Sequence, residues 1–180
     1  MKHVCAFTLS LVLAACGAHL DTRSPATVDL SGTWEIDAAR SDAPPRAGRP
    51  DAPPIGDDGP HEGDDSERSH FGGPMPLLPM VSATQMTIAQ DAASMGIEYP
   101  GSPYRDLKWG TQKRGLFTIE AGWDAGRLIV VTRSDPLNVR ETYALSDAGD
   151  TLVLQIDLQG KHINTHHMTR VFVRKPDTPN

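Results

Sequence analysis

From Ser82 onward, apolar side chains return at every second position in one short run after another. Leu152, Leu154, Ile156 and Leu158 form the clearest run, followed by Phe117, Ile119, Ala121 and Trp123. A period of two places successive side chains on opposite faces of a strand, so each run has one dry side and one wet side. Turn residues separate the runs, at Pro100-Gly101, Asp124-Ala125-Gly126, Asp135-Pro136 and Ser146 to Asp150. Beyond the leader, no stretch of ten residues carries a helical period. Such a chain has to bury its apolar side chains by folding sheet onto sheet.

The strands predicted in order begin with Leu30 to Asp37, where Leu30, Gly32, Trp34 and Ile36 share a face. Gly32 leaves room for another backbone to approach, and the Trp34 ring N–H needs a partner once buried. Gln85 to Gln90 carries Met86 and Ile88 in phase, and Met95 to Tyr99 carries Ile97 and Tyr99. Tyr104 to Trp109 is less regular, with Tyr104 and Leu107 out of phase, and Gly110 and Gly115 bracket what reads as a polar turn. After Phe117 to Trp123 come Leu128 to Thr132, apolar on both faces, and a run in which Val139, Tyr143 and Leu145 share a face. Leu152 to Leu158 and Thr165 to Arg174 complete the set. Eight or nine antiparallel strands with short connections form either a sandwich or an up-and-down barrel, and closure of the barrel removes exposed edges. The expected fold is therefore an all-β, up-and-down antiparallel barrel.

The first 15 residues read as a leader. Lys2 and His3 precede an apolar run, Val4 to Ala15, that is too short to span a bilayer and suits a signal-peptide core. It ends in Leu13-Ala14-Ala15-Cys16, which resembles the lipobox of bacterial lipoproteins. That resemblance implies cleavage before Cys16 and acylation of its sulfur and of the new amine. The alternative is an ordinary secretory signal that leaves Cys16 as a free thiol. Several acyl chains, each contributing ~0.8 kcal/mol per buried methylene, would hold the protein at a membrane almost permanently. By resemblance to sorting signals in two-membrane bacteria, Gly17 after the cysteine implies the outer membrane, facing the periplasm. Only Cys5 and Cys16 are present, so the processed chain would have no disulfide, no cysteine nucleophile and no thiolate metal site.

Charge divides the processed chain. The whole sequence carries a formal −6, which becomes −7 once Lys2 leaves with the leader. Ser41 to Gly72 alone contributes −5, from eight acids against Arg46, Arg49 and Arg68. Residues 41–79 also hold nine prolines and six glycines and almost no aliphatic side chain before Leu77. Such a segment buries too little to offset its ordering entropy, so a disordered acidic insert is expected there. Its length costs little, because loop-closure entropy grows only logarithmically. Without the insert and a tether at 16–29, about 105 residues between 30 and 174 remain for one domain, with a short tail at 175–180. That domain is near neutral and has no basic face, which excludes nucleic acid as a partner.

Ser31-Gly32-Thr33-Trp34-Glu35-Ile36-Asp37, with Ala39-Arg40-Ser41 and the gap after it, opens a wider pattern. Trp123-Asp124-Ala125-Gly126-Arg127-Leu128, Glu141-Thr142-Tyr143-Ala144-Leu145-Ser146 and Thr169-Arg170-Val171-Phe172 continue it. The pattern resembles small secreted bacterial proteins of unknown function described as lipocalin-like, and Gly32-Thr33-Trp34 resembles the Gly-x-Trp that opens a lipocalin barrel. The resemblance implies a fold without a catalytic signature. It also implies that a basic residue from the far end of the barrel packs across the first-strand tryptophan. Arg170 and Arg174 are the candidates to close the barrel over Trp34, and Arg170 is the residue expected there.

Trp34, Tyr104, Trp109, Trp123 and Tyr143 are the candidate lining of a ligand cavity. A barrel of this size is just wide enough either to be filled by side chains or to hold one small ligand. A metal site is not expected. His162 and His166 could share a strand face, but two imidazoles need further ligands. The acidic insert lacks the spacing that wraps calcium, and no nucleophile has an evident base. These residues predict a lipid-anchored envelope protein without a cofactor, not an enzyme, that binds a small apolar molecule. The alternative is an envelope interaction protein with a filled core, whose protein partner the sequence leaves unnamed.

Overall fold

The structure, a computed structural model, describes residues 19–44, 78–135, 137–160 and 163–176. Cys16, His162 and most of the acidic insert lie outside these residues. Ten strands form one antiparallel sheet. They are β1 (Gly32–Ile36), β2 (Gln85–Gln90), β3 (Ser94–Glu98), β4 (Arg105–Lys108), β5 (Gly110–Arg114), β6 (Phe117–Asp124), β7 (Arg127–Arg133), β8 (Leu137–Leu145), β9 (Thr151–Gly160) and β10 (Ile163–Arg174). Apart from β4 and β5, neighbours in sequence are neighbours in the sheet, and β1 also pairs with β10, giving the order β4-β3-β2-β1-β10-β9-β8-β7-β6-β5. The sheet curls into an up-and-down barrel, closed except for a seam where β4 and β5 meet without pairing.

The strand count exceeds the expected eight or nine because Gly110 to Arg114 is a strand and not a turn. Thr111 and Lys113 face outward and are exposed, while the other face carries Gly110, Gln112 and Arg114, so apolar alternation is missing. Charges on such a free edge deter other strands from adding to it. One helical turn, α1 (Pro79–Ser82), buries Met80 and Val81 at the end of the barrel where β1 leads into β2.

Registered cross-strand rows define the interior. Trp34 pairs with Met86, Ile88 with Ile97, and Met95 with Leu107. On the other wall, Trp123, Leu128, Tyr143, Leu154 and Arg170 form one row. Nearly all the inward apolar side chains are fully buried. Hydrophobic burial at roughly 25 cal/mol per Å² of apolar area is what holds such a barrel together.

The segment read as a tether lies partly on the barrel. Asp21 and Trp123 exchange backbone hydrogen bonds of 2.9 and 2.8 Å, and Leu20 is buried over Gly122 on the outer face of β6. Gln90 fastens the same segment through Val28 and Ser24. A Cβ on Gly122 would lie 2.7 Å from the Leu20 Cβ and 2.8 Å from the Asp21 carbonyl oxygen. Gly122→Ala is thus expected to unseat this segment while leaving the barrel folded. Limited proteolysis should then cut the chain ahead of Val28 faster than in wild type, and equal rates would show that the contact holds nothing.

Candidate functional site

The centre of β8 carries a carboxylate where the pattern calls for an apolar side chain. Glu141 lies on the inward face between Val139 and Tyr143, and its cross-strand neighbours are Val130 and Ile156. It is wholly buried. Its partner comes from the opposite wall. Arg105 on β4 shares a face with Ile97 and Leu107, and donates from Nη1 to Oε2 at 2.6 Å and from Nη2 to Oε1 at 2.7 Å. Tyr143 donates its hydroxyl to Glu141 Oε2 at 2.7 Å. The ion pair therefore spans the barrel from β4, at the seam, to β8.

Burial alone would lower the Arg105 pKa, but the Glu141 carboxylate outweighs it and holds the guanidinium well above its ordinary value. Burial pushes the Tyr143 phenol well up, and the Glu141 charge pushes it in the same direction. Tyr99 belongs to the same cluster. Burial raises its pKa to about 12, with Arg105 acting downward and Glu141 upward. Its hydroxyl stands near Tyr143 and Arg105 without reaching hydrogen-bond geometry with any partner. An unpaired buried hydroxyl costs about 1–3 kcal/mol.

The raised phenols have a measurable consequence at high pH. In the unfolded chain they ionise near the ordinary tyrosine value of 10.0, whereas in the barrel Tyr99 resists until about 12. Their contribution is complete below the unfolded value and is lost as pH climbs through the folded one. Each buried phenol should remove ~1.4 kcal/mol of stability per pH unit across that window. Urea midpoints should therefore fall steeply between the two values, and less steeply in Tyr99→Phe. A slope identical in the two proteins would contradict the assignment.

A cleft of about 160 Å³ opens beside α1 and is lined by Pro79, Ser82, Ala83, Thr84, Tyr99, Pro100 and Ser102. Tyr99 is thus shared by the cleft and the internal cluster. A second cleft, about 420 Å³, runs along the ends of β1 and β10 and is lined in part by Glu35, Val173 and Lys175. Glu35 and Val173 pair on the outer face of the sheet, away from the cluster.

The five aromatics expected to line one cavity separate into four settings. Trp34 is fully buried and donates its ring N–H to the Leu30 carbonyl at 2.9 Å. Tyr143 belongs to the cluster. Trp109 and Trp123 meet edge to face, with centroids 5.6 Å apart, and the buried Trp123 N–H has no partner. Tyr104 is outside the barrel: it is 63% exposed, and its hydroxyl fills the space over Gly96, whose neighbours Met95 and Ile97 point inward. Tyr104 is in phase with the outer face, so it cannot line the interior.

Barrel closure also differs in its residue. Arg174, and not Arg170, lies over the Trp34 ring, 4.2 Å from its centroid. The register explains this, because Arg174 pairs directly with Trp34 across β1 and β10. Its guanidinium donates to the carbonyls of Ser31, Gly149 (2.7 Å) and Asp29 (3.1 Å). Gly32 makes room for it: its φ is +133°, and a Cβ there would lie 2.6 Å from Arg174 Nη1. Arg170 instead ties together the two ends of the insert, donating to the carbonyls of Asp42 at 3.1 Å and Ala83 at 2.6 Å. Burial lowers its pKa, and Asp42 opposes the shift.

His166 is exposed on β10, and no group of three metal-ligating side chains occurs among the described residues. Neighbouring His167 meets Asp157 through Nδ1 at 2.6 Å on the other face.

No family model and no curated protein matches the chain. Among solved structures, a secretory abundant heat soluble protein from Ramazzottius varieornatus is similar at 13% identity and a TM-score of 0.47, covering 81% of this chain and 95% of its own. The fluorescent protein UnaG is similar at 13% identity and a TM-score of 0.45, covering 81% of this chain and 97% of its own. The strand order and register described above define the fold independently of these likenesses.

Proposed function

We propose that this chain is a small-molecule-binding barrel, tethered to a bacterial outer membrane through lipid on Cys16 and facing the periplasm. The observation that carries the binding reading is the Tyr99 hydroxyl, a polar group buried in an apolar barrel without a hydrogen-bond partner, on a residue that also lines a cleft at the α1 end. Polar groups placed in an apolar interior are how such pockets orient a ligand. The tether rests on the sequence Leu13-Ala14-Ala15-Cys16 alone.

A binding role fits the cluster better than an enzymatic one. Glu141 already accepts hydrogen bonds from Arg105 and Tyr143, which leaves it poorly placed to act as a base. A second reading, an interaction protein with a filled core, draws on Leu116 at the β5–β6 turn, which is 90% exposed. Native mass spectrometry of the full chain from its host separates the two readings. A co-purifying small molecule that leaves on denaturation is the expected result. A mass equal to that of the lipidated chain alone, in every preparation, would favour the filled core.

A further inference from the structure

We infer that the barrel stands upright on the membrane that carries it, with its β6–β7 end against the bilayer and its α1 end turned to the water. The inference rests on the lipid at Cys16 proposed above and adds to it the surface that meets the bilayer.

The seat of the N-terminal segment sets the orientation. Besides the bridge from Asp21 to Trp123, a methyl of Val28 lies beside Gly126 in the β6–β7 turn. Gln90, the last residue of β2, accepts from the Leu30 N–H at 3.0 Å and donates to Ser24 Oγ at 2.8 Å and the Val28 carbonyl at 2.9 Å. Both β2 and β6 run toward this end of the barrel, whereas α1 and the β5–β6 turn mark the other. The Asp21–Trp123 bridge is antiparallel, so the chain leading into Asp21 arrives from beyond Asp124, the last residue of β6. Only four residue steps separate Cys16 from the buried Leu20, and they span at most ~14 Å when fully extended. Strand β6 alone, at eight residues, is ~26 Å long. A lipid on Cys16 therefore holds the β6–β7 end close to the bilayer surface and keeps the α1 end away from it.

The chemistry of that end suits contact with headgroups and not entry into hydrocarbon. The β2–β3 and β8–β9 turns expose Asp91, Ala92, Ala93, Asp147 and Ala148, with no basic side chain among them. Asp124 and Arg127 pair with each other at 3.2 Å. Leu116, 90% exposed, is at the opposite end. Carboxylates resist entry into the bilayer core and are not drawn to anionic headgroups, so the lipid holds the barrel there without help from charge. The cleft beside α1 then opens on the aqueous side, and its occupant exchanges with water and not with the bilayer.

The test uses the full chain exported in a two-membrane bacterium and added to phosphatidylcholine vesicles that carry a rhodamine lipid. Cysteine is introduced singly at Ala92 or Ala148, at the near end, and at Leu116 or Asp135, at the far end, then labelled with fluorescein. With Cys5 removed and Cys16 acylated, no other thiol reacts. Energy transfer from the two near positions should exceed that from the two far positions at least about threefold, in keeping with the ~26 Å between the ends. Inserting about twenty Gly/Ser residues between Ala18 and His19 adds a coil of ~25 Å and should erase the difference. Equal transfer from both ends of the chain without the linker would overturn the orientation and leave the lipid anchor standing. A difference that survives the linker would overturn the short tether as its cause. An intact mass without acyl groups would remove both the anchor and this inference.

Discussion

Replacing Arg105 by Met should destabilise the barrel by about 3–5 kcal/mol, and Glu141→Leu should cost about as much, because each leaves the other charge buried and unpaired. The double replacement should recover most of that loss, and by the same reasoning should end near wild type or up to about 1–4 kcal/mol above it. The pair joins β4, at the unpaired seam, to β8 across the interior. It therefore holds shut a wall that backbone hydrogen bonds leave open. Urea denaturation of the four proteins in a double-mutant cycle measures the coupling. Two losses that simply add would mean that Arg105 and Glu141 do not act as a unit.

Trp34→Ala should cost about 3–5 kcal/mol, the range for removing a fully buried large aromatic. The loss goes beyond packing, since the indole also gives up its hydrogen bond to Leu30 and its place beneath Arg174. Arg174→Leu should cost less. It loses a cation–π contact of about 0.5–2 kcal/mol and leaves three carbonyls to find water. Thermal unfolding of both variants checks the order, and an Arg174 variant less stable than the Trp34 variant would reverse the roles assigned to them.

Much of the fold could be read from the sequence because alternation is a local property. Leu152 to Leu158 and Phe117 to Trp123 appear as strands with the expected inward faces. The seam was hidden for a physical reason: β5 presents polar side chains to solvent and carries no apolar signal. The candidate site was half visible. Glu141 is in phase with Val139, Tyr143 and Leu145, so a carboxylate on a dry face stands in the sequence as an anomaly. Arg105 was concealed because Tyr104 and Leu107 suggested no common phase. The true phase runs through Arg105, Leu107 and Trp109, and it turns Tyr104 outward. Which arginine covers Trp34 depended on a register between residues far apart in the chain, and local pattern does not carry that information.

The pairing of β1 with both β2 and β10 fixes the order in which this protein can assemble. Trp34 finds Met86 only after residues 41–79 have been made, and finds Arg174 only once synthesis is nearly over. Until then the first strand has no permanent neighbour, and its indole has nothing to lie under. Contacts of such long sequence separation slow folding relative to local ones. The polypeptide would therefore leave the ribosome with its barrel still open, and the wall would close only after the final strand had emerged.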